Sequence, residues 1–192
     1  DDFRKEVKPV VDAINDLREI TDSVHLTFGR IKYFEWDFRQ SKKHFQSALR
    51  LNSNNVRARF CYSELLLTLG HFPEALRELN TIIQLDPLSF QSYTSIGRAY
   101  YRMGKFENAV AFLNDVVDLE PHNFEALALL GATVAEMGDF DRANLMLSNS
   151  LKIQDHIETV SMLGYVAALR GDEKGARQII DRINSTYVGN CE

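Results

Sequence analysis

Residues 90–123 read FQSYTSIGRAYYRMGKFENAVAFLNDVVDLEPHN, and the two glycines in this stretch belong to two regular series along the chain. The first series is Gly29, Gly97, Gly131 and Gly164, and the second is Gly70, Gly104, Gly138 and Gly171. Neighbouring members lie 34 residues apart, 33 at the last step, and twice 34 where the first series lacks a member. Such a period indicates a tandem repeat. We therefore divide the chain into five repeats: 22–55, 56–89, 90–123, 124–156 and 157–190.

Apolar and small residues recur at fixed positions of each repeat. Position 20 holds a small residue in all five repeats: Ser41, Ala75, Ala109, Ala143 and Ala176. Position 24 holds a large apolar one: Phe45, Leu79, Leu113, Leu147 and Ile180. Spacings of three and four between apolar positions predict two amphipathic helices per repeat. We expect the first glycine series to let two helices approach closely. The second series should end the first helix in a left-handed conformation, which glycine adopts readily.

The middle repeat carries the pattern most completely, with an aromatic residue, a glycine pair, an alanine and a closing proline: Tyr93, Gly97, Gly104, Ala109 and Pro121. This pattern resembles the tetratricopeptide repeat (TPR), and the resemblance extends over residues 22–190. It implies an all-α fold, a right-handed α-solenoid of TPR helical hairpins with about eleven helices.

The two ends of the chain do not look like finished ends of such an array. Residues 3–20 have an apolar stripe at helical spacing, which predicts a helix within residues 1–21. We interpret it as the second helix of a preceding repeat; the alternative is an N-terminal capping helix of a processed protein. The polar residues 184–190 are typical of a turn rather than a capping helix. We therefore expect a piece of a longer chain, with self-association through uncapped ends as one consequence.

The first repeat resembles a particular subgroup of TPR proteins. Its segment Tyr33–Phe38, sequence YFEWDF, is similar to TPR regions of bacterial winged-helix regulators and of cyclase-like or kinase-like signalling proteins. Trp36 stands where other repeats have the second glycine. We expect its side chain to pack as a wedge between adjacent hairpins.

Composition disfavours several other functions. The chain has 22 basic and 27 acidic residues, a net charge of −5, so we expect no direct nucleic-acid binding by this segment. No apolar run is long enough for a membrane span. The five histidines have no short spacing, and Cys61 and Cys191 are far apart, so neither a metal site nor a cofactor is expected. Acidic pairs such as Asp139/Asp141 and Asp172/Glu173 are interpreted as helix caps rather than catalytic groups.

The resemblance places first-helix positions on a concave face that binds a partner protein or peptide. The candidate partner-binding residues are Arg30, Tyr33, Arg57, Phe60, Glu64, Gln91, Thr94, Arg98, Tyr101 and Arg102. Arginine and tyrosine suit a peptide that carries acidic and apolar side chains. Asparagine is absent from inner position 9, which argues against the C-terminal peptides that TPR co-chaperones clamp.

We therefore predict a non-catalytic scaffold for protein–protein interaction, the regulatory region of a larger bacterial signalling or transcription protein. The alternatives are a free-standing adaptor or chaperone for envelope or secretion assembly, and the substrate-binding region of an enzyme whose catalytic domain lies elsewhere. A cytoplasmic location is expected, with the periplasm as the alternative.

Overall fold

The computed structural model of the chain describes residues 8–9 and 21–188. Apart from Lys8, Pro9 and Thr21, the helix predicted within residues 1–21 lies outside this description. Residues 21–188 form ten α-helices, one π-helical turn and no strand, which confirms the predicted all-α fold. The helices are α1 Asp22–Phe34, α2 Phe38–Leu51, α3 Val56–Thr68, α4 Phe72–Leu85, α5 Phe90–Arg102, α6 Phe106–Leu119, α7 Phe124–Glu136, α8 Phe140–Ile153, α9 Ile157–Leu169 and α10 Glu173–Ile183.

The helices pair as hairpins within two compact units, residues 1–92 and 93–192, which we call the N-terminal and C-terminal units. In the N-terminal unit α1 packs against α2 and α3 against α4, and α3 also contacts both helices of the first hairpin. In the C-terminal unit α7 packs against α8 and α9 against α10, while α7 also contacts α6 and α9. Among the described helices, none has the length and apolar character needed to cross a membrane.

The second glycine series ends the first helix of the last four hairpins, as predicted. Gly70, Gly104, Gly138 and Gly171 all have positive φ, between 69° and 85°. At Gly70, the backbone N–H donates to the Leu67 carbonyl at 3.1 Å, and the next N–H, of His71, donates to Leu66 at 2.8 Å. These bonds satisfy carbonyls that the end of α3 would otherwise leave without a partner.

The first glycine series lies at the closest contacts inside the hairpins, again as predicted. A Cβ added to Gly29 would lie 2.5 Å from the Phe45 ring, and one added to Gly97 would lie 2.7 Å from Leu113 Cγ. In the first hairpin Ser41 replaces the usual alanine, and its buried hydroxyl donates to the Gly29 carbonyl at 2.8 Å. The large residue of the second helix therefore fills the space that the missing side chain leaves.

The last hairpin departs from the pattern. Ile180 was expected to fill the space beside Gly164, but its side chain is 56% exposed. Ile179 lies there instead, with Cγ2 3.0 Å from the position of a Cβ on Gly164. The helices α2, α4, α6 and α8 each begin with a half-buried phenylalanine, whereas α10 begins with exposed Glu173 and lacks that apolar contact.

The side chains next to the helix ends determine how two of the helices begin. Asp139 and Asp172 accept hydrogen bonds from the Arg142 and Gly175 amides at 3.1 and 2.9 Å, which confirms their interpretation as caps. After α10 the chain continues as a π-helical turn, Asn184–Val188, so the polar turn predicted over 184–190 is wrong for these five residues.

Candidate functional site

Helices α1 and α3 lie in contact in the N-terminal unit and enclose a cavity of about 230 Å³. We call it the Arg30 cavity. It is lined by Arg30, Tyr33, Phe34, Phe45, Phe60, Cys61 and Glu64. The structure thus brings four of the predicted partner-binding residues together. The other three lining residues were not among the candidates, because their convergence depends on how α1, α2 and α3 pack.

Aromatic rings form much of the cavity wall, and Tyr33 is held firmly within it. Its ring centroid lies 5.8 Å from that of Phe34, edge to face, and 5.8 Å from that of Phe38. Its hydroxyl lies 2.9 Å from Thr68 Oγ1. Since the Thr68 hydroxyl donates its hydrogen to the Glu64 carbonyl, the Tyr33 hydroxyl is the donor of this bond. The bond fixes the end of α1 against the end of α3.

Two arginines close to the cavity have no ion-pair partner among the described residues, and the Glu64 carboxylate lines the same cavity. Arg30 and Arg57 are exposed, and neither side chain forms an ion pair or hydrogen bond with any residue that the structure describes. Burial raises the pKa of the Cys61 thiol, while Arg30 and Arg57 act in the opposite direction and Glu64 adds to the rise. Both guanidinium groups are therefore close enough for their field to reach the cavity.

Trp36 lies beside this cavity, in the turn between α1 and α2. Its side chain is 78% exposed, so the predicted wedge between hairpins is wrong. The reason is its place in the turn: at the equivalent Gly70, an added Cβ would meet nothing within 4 Å. A side chain at this position points into solvent, and among the described residues the Trp36 ring has a ring contact with Phe38, at the edge of the hairpin, 5.7 Å away.

The predicted residues of the C-terminal unit are arranged differently. Thr94 is buried, and Arg98 lies 3.9 Å from the Glu125 carboxylate. Burial raises the pKa of Tyr101, and the nearby Glu136 carboxylate raises it further. Tyr165 donates to the same carboxylate at 2.9 Å. Arg102 is exposed, as is Gln91 in the N-terminal unit. Arg98 and Tyr101 therefore contact acidic groups of their own unit, unlike Arg30 and Arg57.

Two histidines that are distant in sequence also meet. His25 on α1 and His44 on α2 place their Nδ1 atoms 3.0 Å apart. Burial lowers the pKa of both imidazoles; Arg50 adds to the effect on His25, and His25 and Lys32 to that on His44. A hydrogen bond between two Nδ1 atoms requires one of them to donate and the other to accept, so the accepting ring is neutral. Sequence spacing could not reveal the pair, because the two residues lie on facing helices.

Comparison with known proteins gives matches to one family. Two models of the tetratricopeptide repeat match residues 26–90 and 90–123, which together span just over half of the chain. A comparison with curated protein sequences gives no significant match.

Solved structures share the fold. A thermophilic TPR protein of Thermus thermophilus is 22% identical with a TM-score of 0.80, covering 88% of this chain and 93% of that one. PilW, a type IV pilus biogenesis factor, is 16% identical with a TM-score of 0.81, covering 97% and 86%. One chain of the APC/C hetero-tetramer Cut9–Hcn1 is 13% identical with a TM-score of 0.86, and the match covers 97% of this chain and 37% of that one. The predicted likeness to TPR regions of winged-helix regulators is not tested by these matches and stays a prediction.

Proposed function

Because the chain belongs to the tetratricopeptide repeat family, whose repeats form scaffolds for protein–protein interaction, we propose that it binds a peptide segment with acidic and apolar side chains. The segment belongs to a partner protein and enters the Arg30 cavity. Arg98 and Tyr101, with their acidic neighbours, and buried Thr94 are secondary to this contact.

The observation that carries the proposal is a pair of arginines that have no partner among the residues the structure describes. Arg30 lines the cavity, and the charge of Arg57 reaches Cys61 in its wall; neither arginine has an acidic group within ion-pair distance among the described residues. An exposed ion pair is worth little by itself. A carboxylate that reaches these guanidinium groups while the peptide excludes water from the cavity wall forms stronger, charge-assisted hydrogen bonds.

The size of the cavity supports a side chain rather than a small molecule as its occupant. Its volume of about 230 Å³ is below the roughly 300–1,000 Å³ that small-molecule sites usually have. Four of its seven lining residues are aromatic. Such walls favour one large apolar side chain, of the kind that anchors many interfaces.

The proposal also concerns the kind of larger protein to which this chain belongs. We place the scaffold in a bacterial signalling or transcription protein, on the resemblance of the Tyr33–Phe38 segment, as a non-catalytic regulatory region in the cytoplasm. An adaptor for envelope or secretion assembly in the periplasm, or a substrate-binding region of an enzyme, is the alternative. Mass spectrometry of proteins retained by the wild-type chain but lost with Arg30→Ala/Arg57→Ala distinguishes these settings.

The binding proposal is tested with a fluorescent peptide in which glutamate alternates with leucine and phenylalanine, using fluorescence polarisation. We expect the Arg30→Ala/Arg57→Ala variant to bind about tenfold more weakly or worse, a loss of about 1.4 kcal/mol or more. Its thermal midpoint should match the wild type, because neither arginine holds the fold together. Arg77→Ala is the matched control, since Arg77 is exposed on α4 and does not line the cavity. Equal affinity of all three proteins contradicts the proposal.

A further inference from the structure

Trp36 adopts the backbone conformation of a turn glycine. Its φ is +62°, and it is the one non-glycine residue with positive φ among those the structure describes. Its N–H donates to the Tyr33 carbonyl at 3.0 Å, and the next N–H, of Asp37, donates to Lys32 at 2.9 Å. The same two bonds close the turn at Gly70, with every residue number shifted by 34. The turn is thus the same one, with an indole in place of a hydrogen.

The fold gains little from this substitution. A residue with a Cβ is disfavoured in the left-handed region relative to glycine. A tryptophan that is 78% exposed recovers only a small part of that through burial. Left-handed non-glycine residues tend to cluster at functional sites, where the strain serves binding rather than stability.

A row of aromatic rings connects Trp36 with the Arg30 cavity. Phe34 lines the cavity and is 57% exposed. From it, successive ring contacts of 5.8, 5.8 and 5.7 Å lead through Tyr33 and Phe38 to Trp36. The apolar surface therefore continues from the cavity around the end of α1 to the turn.

Charge is distributed unevenly along this surface. Next to the turn, Lys32 and Glu35 neutralise each other at 2.7 Å, and the Asp37 carboxylate caps α2 by accepting from the Gln40 amide at 3.0 Å. Of the two arginines that have no acidic partner among the described residues, Arg57 lies toward the other end, in the first turn of α3, whereas Tyr33 is hydrogen-bonded to Thr68 at the end of α3. Arg30 lies between them, one turn before Phe34 on α1. Positive charge thus extends from Arg57 at one end to Arg30 at the cavity, and the exposed aromatic rings lie at the other end.

We propose that Trp36 and Phe34 form the apolar end of the partner-binding surface and that the bound peptide covers the Trp36 indole. This inference rests on the proposed function and specifies the peptide. Eleven residues of α3 separate the levels of Arg57 and Thr68, about 16 Å at 1.5 Å per residue. An extended peptide crosses that length with about five residues. Its acidic side chains lie against Arg57 and Arg30, one large apolar side chain fills the cavity, and a further apolar one packs on Trp36.

The chain offers an internal probe for this contact, because Trp36 is its single tryptophan. Titration with the unlabelled glutamate, leucine and phenylalanine peptide should shift the tryptophan emission to shorter wavelength and protect it from iodide quenching. Trp36→Gly restores the residue type of the other turns and should weaken binding about tenfold while leaving the thermal midpoint unchanged or raised. Asparagine also tolerates the left-handed region, so Trp36→Asn should have the same effects on peptide affinity and on the thermal midpoint. Leu119→Ala is the control, because Leu119 is an exposed apolar residue, 68% accessible, in the C-terminal unit.

The outcomes separate the two proposals. If the peptide binds the wild type, with an unshifted emission and unchanged affinity for Trp36→Gly, the inference about Trp36 is wrong while the proposed function stands. If the wild type binds no such peptide, the proposed function fails and this inference with it. If the emission shifts with protein concentration alone, a second copy of the chain covers Trp36 and the peptide contact is refuted.

Discussion

Replacing Gly131 by alanine should destabilise the protein, although alanine is the better helix former. A Cβ at this position would lie 2.7 Å from Leu147 Cγ and 3.1 Å from the Ala143 carbonyl oxygen. Leu147 is fully buried, and the carbonyl belongs to the backbone of α8, so neither neighbour can move without shifting that helix. Overpacking of a core costs about 1–3 kcal/mol. The gain in helix propensity from glycine to alanine is about 1 kcal/mol.

The expected net loss is therefore about 1 kcal/mol, which lowers the thermal midpoint of a chain of this size by about 2–4 °C. Circular dichroism melts of Gly131→Ala and Gly164→Ala make the comparison. Gly164 occupies the same repeat position, but its Cβ would meet only the Ile179 side chain, at 3.0 Å, so we expect Gly164→Ala to equal or exceed the wild type. In a Leu147→Ala background Gly131→Ala should become stabilising. A Gly131→Ala protein as stable as Gly164→Ala would refute the reasoning.

Two further predictions concern the N-terminal unit. Because the pKa values of His25 and His44 are lowered in the fold, the unfolded chain takes up protons first as pH falls through the ordinary histidine value near 6.5. Chemical denaturation should show stability falling from pH 7 to 5, and His25→Asn/His44→Asn should reduce that slope; an unchanged slope contradicts the assignment. Glu78→Gln removes the ion-pair partner of Arg59, whose side chain is only 15% exposed, and should cost about 1–3 kcal/mol in urea unfolding. Glu74→Gln removes the ion-pair partner of Lys42, a pair whose side chains are 33% and 43% exposed, and should change stability by less than about 0.5 kcal/mol. Equal effects of the two variants would show that burial does not matter here.

The hairpins could be predicted from the sequence because each contact that builds them recurs every 34 residues. A missing Cβ at Gly97 and the Leu113 side chain opposite it are two sides of the same contact, and both residue types recur in register. Local rules also predicted the turns, since a left-handed residue at the end of a helix selects glycine. Because the contact is repeated, its two residue types recur at fixed positions of each repeat, where the sequence alone reveals them.

Features that occur only once escaped this reasoning. The Arg30 cavity needs side chains from three helices, and the repeat gave no reason to expect Cys61 or Phe45 in it. The exposure of Trp36 follows from the turn, but hydrophobicity suggested burial. The His25 and His44 pair depends on the rotation of two facing helices, which residue spacing does not encode. Ile180 shows the same limit, because rotation of α10 about its axis places Ile179 in the contact.

The central claim is that Arg30 and Arg57 select an acidic partner, and reversing their charges tests it most directly. Two peptides with the same leucine and phenylalanine residues, one with glutamate and one with lysine between them, are titrated against the wild type and against Arg30→Glu/Arg57→Glu. The wild type should prefer the glutamate peptide about tenfold or more, and the double variant should prefer the lysine peptide. The same preference in both proteins, or none in the wild type, would contradict the claim.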